Sequence, residues 1–115
     1  MQTSEVPRSE WERRLEEFSA AHDGWLVSME VMGSDIGAQP EVQHMPLLGL
    51  SAENHEGDGT IVVSVAKSAS DHLTHLIHNA THLYLQEEPG AAVEIESADG
   101  LKSVLRFDQP ASRKL

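Results

Sequence analysis

Four of the seven histidines in this 115-residue chain, His72, His75, His78 and His82, fall in one short stretch, spaced three, three and four residues apart. Imidazole is the commonest metal ligand and the side chain whose charge changes near neutrality. Such a run could hold zinc or another divalent cation, act as a base, or sense pH. The candidate metal set is His72, His75 and His78, with His82 as a further member. The chemistry depends on convergence, and convergence depends on secondary structure. Read as a helix, Leu73, Leu76, Ile77 and Ala80 form an apolar stripe, and the four imidazoles share an opposite arc of about 120°. Read as extended chain, His75 shares a face with Leu73 and Ile77, while His72 and His78 share the other with Leu76. Asn79-Ala80 is then a kink, and residues 81–87 are a further strand rich in β-branched and aromatic residues. The extended or irregular reading is the one adopted for residues 71–79. It divides the imidazoles and leaves at most a pair. Zinc signatures add a carboxylate or thiolate at fixed spacing. Here Asp71 is the only nearby carboxylate before Glu87, no His-Glu-x-x-His occurs, and the chain has no cysteine. A solvated histidine cluster without a ligand is the plainer account.

Other chemistry has weaker signals. Ser, His and Asp are present without a Gly-x-Ser-x-Gly elbow, and no glycine-rich phosphate loop occurs. Glu16-Glu17, Glu87-Glu88 and Glu94/Glu96 read as solvated faces. The loop at Ser34-Asp35-Ile36-Gly37 and the acidic turn at residues 53–59 could meet a hard cation, but neither matches a calcium loop. Trp11 and Trp25 read as core anchors.

Nineteen acidic residues against eight basic ones give a formal charge of −11. That field repels phosphate backbones and anionic lipids. The eight cations are scattered rather than gathered on one face, so neither nucleic acid nor membrane is expected as a partner. No run reaches the ~20 apolar residues of a membrane span. The N-terminus lacks the basic start and apolar core of a secretory signal, and the absence of cysteine fits a cytoplasmic protein. If all seven histidines titrated near ~6.5, the charge would move from −11 to −4. Self-association should then increase below about pH 6.

The surrounding elements are partly legible. Residues 1–8 read as a mobile tail. Ser9 and Glu12 make a capping-box pattern for a helix over residues 9–22, with Trp11, Leu15 and Phe18 as its apolar stripe and Gly24 as its left-handed terminator. Residues 25–32 alternate as a strand, and residues 33–40 form a turn-rich loop. Residues 41–51 are extended but contain Pro46, which demands an edge strand or two short strands with a bend. Residues 52–59 read as a polar turn and 60–66 as a strand. Residues 91–97 and 101–107 flank Asp99-Gly100, a hairpin signal. A three-residue loop sets Val93 opposite Leu105, Ala91 opposite Phe107 and Glu96 opposite Lys102, which matches apolar with apolar and charge with countercharge. That register predicts a turn at Ala98-Asp99 with Gly100 at positive φ. Residues 9–107 are read as a single globular domain, and 108–115 as a C-terminal tail.

The expected fold is α+β: one N-terminal helix on a small, strongly bent, mostly antiparallel five- to six-stranded sheet or partly open barrel. Several stretches carry a resemblance. They are His22-Asp23-Gly24-Trp25-Leu26-Val27 after the Trp11 helix, Gly33-Ser34-Asp35-Ile36-Gly37-Ala38-Gln39, Pro46-Leu47-Leu48-Gly49-Leu50-Ser51-Ala52, His72-Leu73-Thr74-His75, and Ile95-Glu96-Ser97-Ala98-Asp99-Gly100 before Leu105-Arg106-Phe107. The chain resembles a family of short bacterial proteins of unknown function, from about Trp11 to Phe107. The resemblance implies a bacterial, single-domain, soluble protein and supplies no catalytic residues. The expected function is a non-enzymatic binding or assembly module, whose partner is a protein or another copy of itself rather than a small molecule. The alternative is a small metal-dependent or histidine-assisted enzyme using the His72–His82 stretch.

Overall fold

The computed structural model describes residues 3–55, 58–87 and 90–110. Among them the chain forms β1 (Ser4–Glu5), a 3-10 turn (Arg8–Glu10), α1 (Trp11–Ala21), β2 (Leu26–Gly33), β3 (Gly37–His55), β4 (Asp58–Ser68), β5 (Asp71–Ile77), β6 (Ala80–Gln86), β7 (Ala91–Ser97) and β8 (Lys102–Asp108). The sheet order is β1-β6-β7-β8-β2-β3-β4-β5, with every pairing antiparallel. β1 and β5 end the order and do not pair, so the sheet stays open. The α+β expectation holds, but eight strands replace the five or six expected.

One additional strand comes from the N-terminal segment read as a tail. Ser4 pairs with Leu85 and Glu5 with Tyr84, the Val6 N–H donates to the Leu83 carbonyl at 2.8 Å, and Val6 is 2% exposed. A two-residue strand carries no periodicity to read. Its partner strand, 81 positions away, supplies the pairing. At the other end, Asp108 belongs to β8 rather than to a tail; residues 111–115 lie outside the described residues. The acidic turn is shorter than expected: residues 52–55 continue β3 and Asp58 begins β4. The 33–40 loop likewise contracts, with Gly33 opposite Gly37.

β3 organises the sheet. Its residues 37–46 pair with β2, and residues 47–55 pair with β4. Pro46 sits at the changeover, opposite Leu26, where the strand leaves one neighbour for the next. A missing N–H is tolerated there because the ladder ends. Register shifts opposite Val27, Met29 and Glu30, and again between Leu47 and Gly49, bend the strand. The sequence choice between an edge strand and two bent halves resolves as one chain carrying both halves.

α1 seals the side of β3 that β4 does not. Trp11, Leu15 and Phe18 are its buried residues, and Phe18 meets Phe107 edge-on at 5.2 Å. The Leu50 N–H, directed away from β4, donates to Ser19 Oγ at 3.0 Å. The expected Ser9/Glu12 capping box does not form. The 3-10 turn takes up Ser9, and no side chain caps either helical segment. The entry is instead fixed by the Trp11 indole N–H, which donates to the Val6 carbonyl at 2.9 Å. Gly24 is left-handed at φ +81°, as expected, but the helix ends at Ala21 with His22 as its C-cap, so Gly24 stands one position beyond C′. His22, buried beneath it, stacks on Phe18 at 4.0 Å and hydrogen-bonds the Phe18 carbonyl through Nδ1 at 2.8 Å. The β7–β8 hairpin has the expected register, Val93 opposite Leu105 and Glu96 opposite Lys102. Its turn closes by Gly100 N–H to Ser97 O at 3.0 Å, with Gly100 at φ +90°.

Candidate interaction edge

The histidine stretch is a strand, then a kink, then a second strand. Asn79 makes the kink at φ +55°, a conformation Asn tolerates better than most side chains. Along β5, alternation sends His75 inward beside Leu73 and Ile77, half-buried, and sends His72 and His78 outward. Six residues of extended chain separate His72 from His78 by ~20 Å. His82 stands on β6 and bonds to Glu5 of β1. The fold therefore divides the four imidazoles: His75 and His78 line one cleft, His72 and His82 lie away from it, and among the described residues no three His, Asp or Glu side chains gather as a metal-binding group. His78 Nδ1 lies 3.4 Å from Thr60 Oγ1.

What β5 does present is an unpaired strand edge. An open edge exposes N–H and C=O groups that template pairing with another chain, and proteins ordinarily blunt it with proline, lysine, bulges, shortness or a cover. The other edges here are blunted. β1 is two residues long. The first half of β3 carries Pro40, Pro46, repeated register shifts and His44 at φ +51°. The second half of β3 lies under α1. β5 has seven residues, no proline, no lysine, and an unbroken register against β4 from His72 to Ile77. Asp71, at its start, is its one carboxylate, and that carboxylate accepts a hydrogen bond from the His72 N–H at 2.9 Å.

The side chains flanking this edge are small or uncharged. On the outer face, Leu76 neighbours Val62 and, beyond it, Ser51; Thr74 neighbours Ser64, their hydroxyls 3.4 Å apart. Leu76 is 48% exposed, one of three large apolar side chains open to solvent among the described residues. In a chain of formal charge −11, this is a locally uncharged patch. At the C-terminal end of the edge, a cleft of about 240 Å³ separates His75 and Ile77 from Val31, Leu101 and the buried Ser103 of the opposite wall.

The His82–Glu5 contact belongs to a different site. His82 Nδ1–H donates to the Glu5 carboxylate at 2.7 Å. That hydrogen bond raises the His82 pKa above its ordinary value, against a smaller opposing effect of desolvation, with Glu5 and Glu96 charges adding to the rise. Next to it, Tyr84 is raised by desolvation and by the carboxylates of Glu96, Glu5 and Glu94. The pair ties β1 to β6 across the sheet margin. Sequence reasoning missed it because 77 residues separate the partners. For the bare edge the sequence carried half of the signal: residues 71–77 visibly lack proline and lysine, while their place at the end of the sheet is a matter of topology.

No helix among the described residues is long and apolar enough to cross a membrane. A family of unknown function, DUF5335, matches residues 2–114. An uncharacterised protein of Aquifex aeolicus (strain VF5) is 32% identical over 109 residues, covering 93% of each chain. The crystal structure of the Bacillus subtilis YojF protein aligns with a TM-score of 0.57 over 99% of this chain and 100% of that one, at 8% identity. At that identity the likeness is one of fold.

Proposed function

We propose that this chain, which belongs to the DUF5335 family of unknown function, is a non-enzymatic binding or assembly module that works by strand addition at β5. The observation that carries the reading is the contrast between edges. β3 is bulged, proline-bearing or covered along its length, whereas β5 offers an unbroken ladder. In strand addition, main-chain hydrogen bonds supply affinity and alternate side chains supply selectivity. The outward set at β5 is His72, Thr74 and Leu76, and the inward set is Leu73, His75 and Ile77. A protein segment satisfies both sets, and a small molecule does not use the ladder. A cytoplasmic setting is part of the same proposal.

The test is a pull-down from cells that carry the gene, using tagged wild-type chain and Thr74→Lys as baits. Thr74 is exposed, so the lysine blunts the edge without entering the core. Specific recovery of a protein, or of untagged copies of the chain itself, that is lost with Thr74→Lys supports the reading. Equal recovery by both baits, or none by either, overturns it.

A further inference from the structure

We infer that the occupant of the β5 edge is a second copy of this chain, paired β5 to β5, antiparallel, about a two-fold axis at Thr74. The inference rests on the reading of β5 as an interaction edge and names its partner. Two-fold association requires one patch to be complementary to itself. For strands, it also requires a register that keeps inward side chains on the inward face, because a one-residue slip reverses every side chain. β5 runs from Asp71 to Ile77, seven residues centred on Thr74. Its antiparallel copy, laid about Thr74, overlaps it completely and preserves both faces.

That register makes specific pairs. Thr74 meets the partner's Thr74, a hydroxyl pairing already present within the chain, where Thr74 lies beside Ser64. His72 meets the partner's Leu76, covering an apolar side chain that is 48% exposed in the single chain. Leu73 meets the partner's His75 on the inward face. Asp71 lies opposite the partner's Ile77 and diagonal to the partner's His75, so each strand's carboxylate is offered an imidazole. The two Asp71 side chains stand at opposite ends of the overlap, ~20 Å apart, so no like charges face one another. A strand from an arbitrary protein would need this composition by chance; the chain's own β5 has it.

Two bodies of charge −11 repel at long range. Salt screens exposed charges beyond ~8 Å at physiological ionic strength and leaves backbone hydrogen bonds intact, so the dimer should tighten as salt rises.

The chain contains no cysteine, which gives a clean crosslinking test. Residues directly opposite in an antiparallel pair have Cα atoms ~4.5–5.5 Å apart, within disulfide reach. Wild-type protein should sediment at twice the chain mass, with a larger dimer fraction at 0.5 M than at 0.02 M NaCl. Thr74→Cys should oxidise to a covalent dimer, while the likewise exposed control Leu48→Cys should not. Thr74→Lys and Thr74→Glu should each be monomeric alone and should recover the dimer when mixed, which shows that both variants are folded. A wild-type chain monomeric to millimolar concentration, a Thr74→Cys chain that does not crosslink, or single-charge variants that stay dimeric would each overturn the inference. If the chain is monomeric while the pull-down recovers a different protein that Thr74→Lys loses, the partner assignment fails and the edge reading stands.

Discussion

Gly59 is where the N-terminal segment meets the sheet most tightly. A Cβ built there lies 2.8 Å from Arg8 Nη2, 2.9 Å from Trp11 Cζ3 and 3.2 Å from the Ala80 carbonyl oxygen. The three neighbours differ in how far they can yield. Arg8 is long and can swing aside, at the loss of its stacking 5.0 Å above the Trp11 ring, worth ~0.5–1 kcal/mol at an exposed site. Trp11 is 1% exposed and held by its bond to Val6, so it cannot tilt freely. The Ala80 oxygen is backbone. Gly59→Ala is therefore an overpacking change, for which ~1–3 kcal/mol is typical. The unfolded chain gives back ~0.4–1 kcal/mol, because alanine has less conformational freedom to lose. The net expectation is ~1–2 kcal/mol of destabilisation. With an unfolding entropy of ~2.1 cal/mol/K per residue, this corresponds to a fall in Tm of ~4–8 °C. Scanning calorimetry measures it. Gly49→Ala is the control, since its Cβ would meet only Ser19 Oγ at 4.0 Å, and it should equal or slightly exceed wild-type stability. A Gly59→Ala protein within 1 °C of wild type, or a Gly49→Ala protein equally damaged, would refute the packing argument.

The His82–Glu5 tie makes stability depend on pH. The folded-state pKa of His82 is raised above 6.5, so its contribution is complete below about 6.5 and fades as pH rises through the higher value. The Tm difference between wild type and Glu5→Gln should be largest near pH 5.5 and vanish by pH 9; a pH-independent difference would sink this account. Ser19→Ala strips the acceptor from the Leu50 N–H and should cost ~1 kcal/mol in urea titration, with faster hydrogen exchange at that amide. Gly100→Ala forces a side chain into φ +90° and should cost ~1–2 kcal/mol, seen as an earlier urea midpoint with an unchanged slope.

The sequence was most informative where one physical rule acted alone. The β7–β8 register followed from matching faces, because a strand of period two admits few alignments that keep Val93 and Leu105 together. The helix stripe was legible because Trp11, Leu15 and Phe18 share one face. Legibility failed where the determining partner was distant. Ser9 and Glu12 satisfy a local capping rule, yet the Trp11 bond to Val6 and the docking of Val6 beside β6 set the helix entry instead. The histidines were ambiguous because Leu73, Leu76 and Ile77 fit both periods. Val62 and Ser64 of β4 decide between them by pairing with Leu76 and Thr74. The bare edge is visible only once the covered edges are known, since freedom of an edge is a property of the whole topology.

The pairing of β1 with β6 has a consequence for biosynthesis. Leu85, the partner of Ser4, is made 81 residues after it. At ~5–20 residues per second, that is a wait of about 4–16 s. During it Trp11, Leu15 and Phe18 are already synthesised, while Phe107, against which Phe18 packs, is not. β1 is thus completed only once β6 has been made, and slowing elongation within β6 to β8 would lengthen the life of a nascent chain whose helix has no floor to rest on.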